Sequence, residues 1–530
     1  MIKATKPGGL QLRGLPLNGR NAALCALLLV DQGMSAQQAL AAVLDAPAAR
    51  QEGATLSGQD KALCTELVYG CLRTEIRLRF ILSFVLSKPQ GLPPAMLTVL
   101  ALAVYGLLFQ DKVPAHAVIH EAVEQVRSLF GQGLARVANG ALRSLQRMGL
   151  EPLEPAFYAS KPKGKNGLAD GAGADVFFGQ CTFYSVPLWI GTLWRDAYGE
   201  QAALALMRRA FERPYSALRI NPAHPRADEL YAALAGLEEP SVAQGAFLSD
   251  RSQLCTSHAL DGTLPEQSAL VQSQIVHRYA VASDISSFSP SLAPASGSGA
   301  STNLPVRIGR WGLAFAPGQM PRSVLDHDLR HWLALGALSW QSAGSQTALI
   351  ELGLDSWREP VWDACAGHGG KSMALMEWGV PVGLCTDRSV ARLRGLPGQC
   401  EVLNLPRPVC CLADVARPPV RTWQGHILVD VPCSGLGVLA RRPDIRRREP
   451  QHLAELEGLQ RAILETLAGY LHPGRELAYI TCTLNPAENE QAVACVLKSH
   501  ENLRLVRQWQ TSHEHGWLEG MFGAVLRNEG

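Results

Sequence analysis

The segment His426-Ile-Leu-Val-Asp430-Val-Pro-Cys433-Ser-Gly435-Leu-Gly437-Val-Leu-Ala-Arg441-Arg-Pro443-Asp-Ile-Arg446-Arg-Arg448 decides the fold. Ile427-Leu428-Val429 is an unbroken apolar run, as in a strand buried on both faces of a parallel sheet. It ends in a carboxylate, Asp430, and then come Pro432, Cys433 and the glycines Gly435 and Gly437. In open α/β sheets ligands lie beyond the carboxyl ends of the strands, which would put Asp430 and Cys433 at a site. The arginine-rich continuation reads as a rim over which a polyanion passes. A buried cysteine in a tight turn before a solvated arginine helix explains this segment, taken alone, about equally well.

Working outward, strands and helices alternate from Trp357 onward, which predicts a parallel, doubly wound, Rossmann-like α/β sheet. Pro360–Asp363 is its first strand, Cys365-Ala366-Gly367-His368-Gly369-Gly370-Lys371 the turn after it, and Ser372–Trp378 opens a helix. Strands at Val382–Thr386, Val409–Ala413 and 427–430 end in Asp387, Asp414 and Asp430. Helix Leu453–Leu471, strand Glu476–Thr481, helix Glu488–Lys498 and late strands near Leu503–Val506 and Phe522–Leu526 complete the domain. A glycine turn lets backbone N–H groups approach a ligand at a helix N-terminus. Asp387, about seventeen residues after Gly370, is placed for the two ribose hydroxyls of an adenosine-containing cofactor. Asp414 is placed for an adenine edge. Surface acids at loop starts explain each residue singly, but the set of three less well. Neither the dinucleotide nor the phosphate-loop pattern is present, so an S-adenosylmethionine pocket fits better than a nucleoside triphosphate.

Two cysteines follow apolar strands at the same predicted rim, Cys433 and Cys482. Thiolate is a strong nucleophile once an electropositive, partly dry site stabilises it. Carbon 5 of a pyrimidine is too weakly nucleophilic to take a methyl group unaided. Thiolate addition at carbon 6 makes the ring enamine-like, and Asp430 could support protonation or hydrogen bonding at ring N3. The C5 proton must then leave and the sulfur depart, which gives a second cysteine a task. Cys365, Cys385, Cys400, Cys410, Cys411 and Cys495 lack that pairing and read as structural.

These motifs carry a family resemblance. Asp363-Ala364-Cys365-Ala366-x-x-Gly369-Gly370-Lys371, Asp430-x-Pro432-Cys433-Ser434-Gly435-x-Gly437 through Ile445, and Tyr479-x-Thr481-Cys482-Thr483 with Pro486-x-Glu488-Asn489-Glu490 are its main elements. Glu519-Gly520-Met521-Phe522-x-Ala524 closes it. The chain resembles the bacterial small-subunit ribosomal RNA cytosine-5 methyltransferases of the RsmB/Sun type. Asp60-Lys61-Ala62, Glu66 to Gly70, Val113 to Val118 and Val137 to Arg143 look like that family's NusB-like domain. The resemblance implies Cys482 as nucleophile, Cys433 in product release, and Asp430 beside them. It further implies S-adenosylmethionine along Cys365, Ala366, Gly367, His368, Gly369, Gly370 and Lys371, with Asp387, Arg392, Asp414 and Asp430. Three positions depart from the family pattern. His368 replaces a proline. Arg446-Arg447 replaces Lys-Trp, where arginine could stack on a base or pair with phosphate. Glu519 replaces aspartate, a change expected to stay within a turn.

The remainder sets the organisation. At 530 residues, with 47% hydrophobic and 18% charged residues, about three domains with real cores are expected. A net charge of +2 leaves nucleic-acid binding to local basic patches. Thirteen cysteines, with no Cys-x-x-Cys pair, argue for free thiols in a reducing, cytoplasmic setting and against a metal site. The apolar runs are too short to span a bilayer. Residues 18–150 read as a helical, NusB-like RNA-binding domain of four or five helices, with Arg136, Arg143 and Arg147 as a solvated basic face. Residues 151–175 read as a flexible linker. Residues 176–345 read as a small α+β RNA-binding module without chemistry of its own, with a serine-rich insertion at 283–302, and 346–530 as the methyltransferase domain. The expected reaction is methylation of a small-subunit rRNA cytosine by a monomer. A tRNA or protein methyltransferase, or a non-catalytic antitermination-like RNA binder with a decayed pocket, remain alternatives; for a protein substrate the two cysteines would have no task.

Overall fold

The computed structural model describes residues 15–45, 56–111, 113–159, 176–236 and 304–530. The serine-rich stretch 283–302 lies outside these residues. Among the described residues the N-terminal region holds seven helices, Gly19–Asp31, Ala36–Leu44, Gly58–Arg73, Glu75–Val85, Pro94–Phe109, Ala115–Phe130 and Gln132–Met148. The sequence predicts fewer because two long periodic runs are each broken once. Thr74 is at once the C-cap of one helix and the N-cap of the next. Gly131, at φ +86°, parts the last two, a conformation that only glycine takes readily. Ser35 forms the predicted capping box with Gln38, and the Ser57 hydroxyl accepts from the Asp60 N–H. Gly70 must be glycine, since a Cβ there would collide with the Tyr105 ring.

The first part of the expected linker is packed rather than loose. Glu151–Leu153 and Pro155–Ala159 form short 3₁₀ turns, with Phe157 and Tyr158 buried against the helical domain. Buried Arg77 fastens them by donating to the Tyr158 hydroxyl (2.8 Å) and to the carbonyls of Pro152 (3.0 Å) and Leu153 (3.1 Å). Its guanidinium also lies over the rings of Phe183 and Tyr158.

Helices Val176–Phe183, Leu188–Tyr198 and Glu200–Phe211 come next. They precede a four-stranded antiparallel sheet of β1 (Ser216–Ile220), β2 (Val306–Ile308), β3 (Gly312–Phe315) and β6 (Leu338–Trp340), in the order β2-β3-β1-β6. A small ribbon of β4 (Ser323–Val324) and β5 (His327–Asp328) sits between β3 and β6 in the chain. Helix Ala343–Glu351, capped by Ser342, leads into the C-terminal domain.

That domain is a seven-stranded sheet of β7 (Val361–Asp363), β8 (Val382–Asp387), β9 (Val409–Leu412), β10 (His426–Asp430), β11 (Glu476–Thr481), β12 (Leu503–Gln510) and β13 (Phe522–Asn528). Its order is β12-β13-β11-β10-β7-β8-β9. The five strands β7 to β11 run parallel, with near-continuous burial along β7, β10 and β11, as strands covered on both faces require. The last two strands pair antiparallel, so the sheet is mixed and not wholly parallel as the alternation predicts. Order reverses beside β7, which makes its carboxyl end the switch point where ligands bind in such sheets.

Candidate active site

Parallel pairing carries every strand-end residue of β7, β8, β10 and β11 to one rim. Asp430 of β10 is in register with Ile480 of β11, so Cys433 and Cys482 emerge side by side. The Val431 N–H donates to the Ile480 carbonyl (3.1 Å) and the Gly437 N–H to the Cys482 carbonyl (3.1 Å), lacing the two loops together. The two sulfurs stand 3.1 Å apart, and the Cys482 N–H points at Cys433 Sγ (3.3 Å).

The electrostatics separate the two thiols. The hydrogen bond from Cys433 pulls the Cys482 thiol below its ordinary value, with Lys371 helping and burial and Asp430 opposing. The same bond, with burial behind it, pushes Cys433 well above the usual thiol range. Of the two, Cys482 is therefore the more readily ionised sulfur and Cys433 the one that holds its proton. Lys371 Nζ lies 2.5 Å from Asp430 Oδ2. Burial disfavours its charge, but Asp430, Cys482 and Asp363 together raise its ammonium above the ordinary value.

After β7 the chain turns through Ala364 to Gly369, with Gly367 at φ +58° and Gly369 at φ +80°. The Ala366 N–H bonds the Thr386 carbonyl (2.9 Å), and the Gly367 N–H bonds Asp387 Oδ2 (2.9 Å). Helix Gly370–Glu377 starts at once, and a Cβ on Gly370 would meet open space, so the turn leaves its backbone approachable. Buried Asp387 also accepts from Ser389 N (2.7 Å) and pairs with Arg392 (3.1 Å). Asp363 is buried with its Oδ1 lacking a partner among the described residues, while Ser372 donates to Oδ2. Burial pushes its carboxyl up to about 7. An orphan acceptor beside an open glycine turn suits the ammonium and carboxylate end of an amino-acid-bearing cofactor.

The rim thus gathers Cys365 to Lys371, Asp387, Arg392, Asp430, Cys433 and Cys482. Asp414 sits differently from the expectation. β9 stops at Leu412, and Asp414 is exposed two residues on, accepting from Ala416 N (3.0 Å) and lying 3.6 Å from Arg388. His368 is exposed at the tip of the turn.

The arginine-rich segment is largely engaged inside the protein. Buried Arg446 donates to the carbonyls of Ser185 (3.0 Å), Leu439 (2.7 Å) and Ala210 (2.6 Å). Arg447 pairs with Glu75 (2.7 Å) and Asp31 (2.9 Å) of the helical domain. Arg441 binds Glu519 and the Tyr215 carbonyl, Arg442 binds Asp444, and Arg448 donates to the Ser434 carbonyl. Arg446 and Arg447 are thus held by internal partners, while Arg448 is exposed beside the cysteine loop. Glu519 likewise reaches beyond its turn, accepting from the Gly344 N–H (2.7 Å) as well as from Arg441.

Sequence reasoning missed two supports. Arg219 of β1, fully buried, forms a two-point ion pair with Glu377 (2.6 and 3.0 Å) and donates to the Gly370 carbonyl (3.3 Å), which also receives Gln341 Nε2 (3.1 Å). The middle module therefore holds the glycine turn. Glu488 braces the cysteine loops; its place in Pro-x-Glu-Asn-Glu was the available signal.

Residues 354–521 match the family model of the 16S rRNA methyltransferases RsmB/F, and residues 17–147 match that of the NusB family. The ribosomal RNA small subunit methyltransferase B of Vibrio cholerae is 28% identical over 97% of this chain and 99% of its own length. That of Shewanella oneidensis is 28% identical over 87% of each. The crystal structure of PH0851 matches with a TM-score of 0.63 over 97% of this chain and 99% of its own, at 16% identity, a likeness of fold alone. With two domain families matched and relatives similar through most of its length, the chain carries an RsmB/F-family methyltransferase domain at residues 354–521, preceded by a NusB-family domain at residues 17–147.

Proposed function

We propose that this S-adenosylmethionine-dependent methyltransferase methylates carbon 5 of a cytosine in small-subunit ribosomal RNA through a covalent bond between Cys482 and the base. The observation that carries the reading is the sulfur pair at the cofactor rim, 3.1 Å apart, with Cys482 the more readily ionised of the two. The cofactor supplies an electrophilic methyl group when bound. The turn Cys365 to Lys371, with Asp363, Asp387 and Arg392, would hold it through backbone N–H groups and the two carboxylates; Asp414 would serve only from the margin.

Cys482 Sγ adds to C6 of a base splayed out of its RNA loop, and the electron pair of the C5=C6 bond becomes available at C5. Asp430, held by Lys371, supports hydrogen bonding or protonation at the N3 side of the ring. After methyl transfer the C5 proton leaves to a base, the C5=C6 bond re-forms, and the C6–S bond breaks. Its electron pair returns to Cys482 as thiolate, into the hydrogen bond of the Cys433 thiol. That bond stabilises the leaving group as it stabilises the resting nucleophile.

The rRNA substrate is drawn from the names of the relatives. A groove of about 310 Å³ between helices Ala115–Phe130 and Gln132–Met148 is lined by His116, His120, Arg127, Arg136, Asn139 and Arg143, and we assign it to the RNA backbone. No described helix is long and apolar enough to cross a membrane, and we place the activity in the cytoplasm, where ribosomal subunits assemble.

RNA carrying 5-fluorocytosine tests the mechanism, because fluorine at C5 cannot leave as a proton and traps the adduct. The wild type should form a covalent complex that Cys482→Ala abolishes. An adduct that survives Cys482→Ala, or none with the wild type, removes the assignment. Cys433→Ala should accumulate adduct even on unsubstituted RNA.

A further inference from the structure

Glu488 is fully buried, and among the described residues no cation pairs with it. Such a carboxylate is costly unless donors satisfy it. Its Oε2 accepts from the Ser434 N–H (2.7 Å) and Gln460 Nε2 (2.9 Å). Its Oε1 accepts from the Ser434 hydroxyl, Asn485 Nδ2 (3.2 Å) and, more weakly, the Thr483 hydroxyl (3.4 Å). Five donors converge on two oxygens, which an acceptor-only carboxylate permits and an amide of the same shape does not.

The donors are placed where the chemistry needs control. Ser434 directly follows Cys433, Thr483 directly follows Cys482, and Gln460 also holds the Pro432 carbonyl (2.8 Å). The Ser434 and Thr483 hydroxyls lie 2.8 Å apart. The two loops are not equally dependent on this brace. Cys482 continues β11, whose Thr481 hydroxyl donates to Asn489 (2.6 Å) and whose ladder runs through to β10 and β13. Cys433 lies three residues beyond β10, and Ser434 is its nearest anchor to the interior.

We propose that Glu488 is a positioning residue that holds Cys433 against Cys482 for the release half of the reaction. The proposal rests on the covalent reading above. Without the brace, β11 still aims Cys482 at the base and Lys371 still favours its ionised form, so the adduct still forms. The Cys433 thiol is then out of place when the C6–S bond must break, so the returning electron pair on sulfur lacks its hydrogen bond.

The test uses the full-length protein, S-adenosylmethionine and unsubstituted small-subunit rRNA transcript, with steady-state turnover and denaturing-gel adduct as paired readouts. Glu488→Gln should lose about 10²-fold in turnover, the scale of an ångström-sized misplacement, while adduct accumulates and cofactor affinity is unchanged. Adding Cys482→Ala should abolish that adduct. Simple loss of structure would lower turnover and adduct together. Ser434→Ala, which keeps the backbone donor and removes only the hydroxyl, should show the same signature more weakly and decides the matter if Glu488→Gln does not fold. A folded Glu488→Gln, or failing that Ser434→Ala, without excess adduct overturns the proposal. Cys433→Ala is the reference: no adduct there overturns the covalent release reading itself, whereas adduct there but not in the brace variants overturns only the role of Glu488.

Discussion

Asp363 shows how one side chain ties cofactor binding to acidity. Its carboxyl is buried and raised from the ordinary carboxylate value to about 7. The folded state therefore keeps this proton over a range in which the unfolded chain has lost it. By linkage, its contribution is fully present below the unfolded value near 4 and falls as pH rises toward 7, by about 1.4 kcal/mol per pH unit. Asp363→Asn should flatten that part of the stability–pH curve in denaturant titrations at pH 5 and pH 8. The wild type should lose stability across that interval relative to the variant. The residues most legible in the sequence were those at strand ends, Asp430, Cys433 and Cys482, because apolar runs mark where parallel strands stop and pairing brings the stops together. Glu488 was not legible in its role, since an acid shortly before a helix looks like an ordinary first-turn charge. Asp414 follows a strand whose end is poorly marked by burial, since β9 is exposed at both ends.

At the level of elements, the strand and helix order of the catalytic domain followed from periodicity, while the reversal of β13 did not. Antiparallel β13 and β12 carry the same apolar signature as parallel strands, and only the connection around Thr511 to Met521, pinned by Thr511 N to the Met521 carbonyl (2.9 Å), sets their direction. Buried pairing of charged residues inside elements was not anticipated. Arg219 on β1 belongs to a buried ion pair across two domains. Arg219→Met should cost about 3–5 kcal/mol in chemical unfolding, because Glu377 would be left as an uncompensated buried charge. Replacing both Arg219 and Glu377 with apolar residues should recover much of that loss. Gln341→Leu removes one donor from the Gly370 carbonyl and the acceptor of Arg219 Nη1 (2.6 Å), and we expect weaker binding of S-adenosylhomocysteine by calorimetry together with a lower unfolding midpoint.

For the whole molecule, the near-neutral net charge conceals a groove on the helical domain where Arg127 is paired with Glu124 and Arg136 and Arg143 are not paired with an acid among the described residues. If Arg136 and Arg143 each meet one phosphate, Arg136→Gln with Arg143→Gln should reduce the slope of log affinity against log salt by about 1.5 for single-stranded rRNA and leave cofactor binding alone. An unchanged slope would place the RNA elsewhere. The domains themselves meet through the loop after Cys433. Leu436, Leu439 and Ile445 pack among Phe177, Ile190, Trp194 and Leu206, and Arg447 reaches the helical domain. This closure was illegible because it joins residues more than two hundred positions apart, with no local pattern to announce it. Its consequence is for chimeras. A recombination joint placed at the start of the catalytic half would inherit arginines aimed at carbonyls and carboxylates, so a hybrid that folds must supply matching partners at positions 31, 75, 185 and 210.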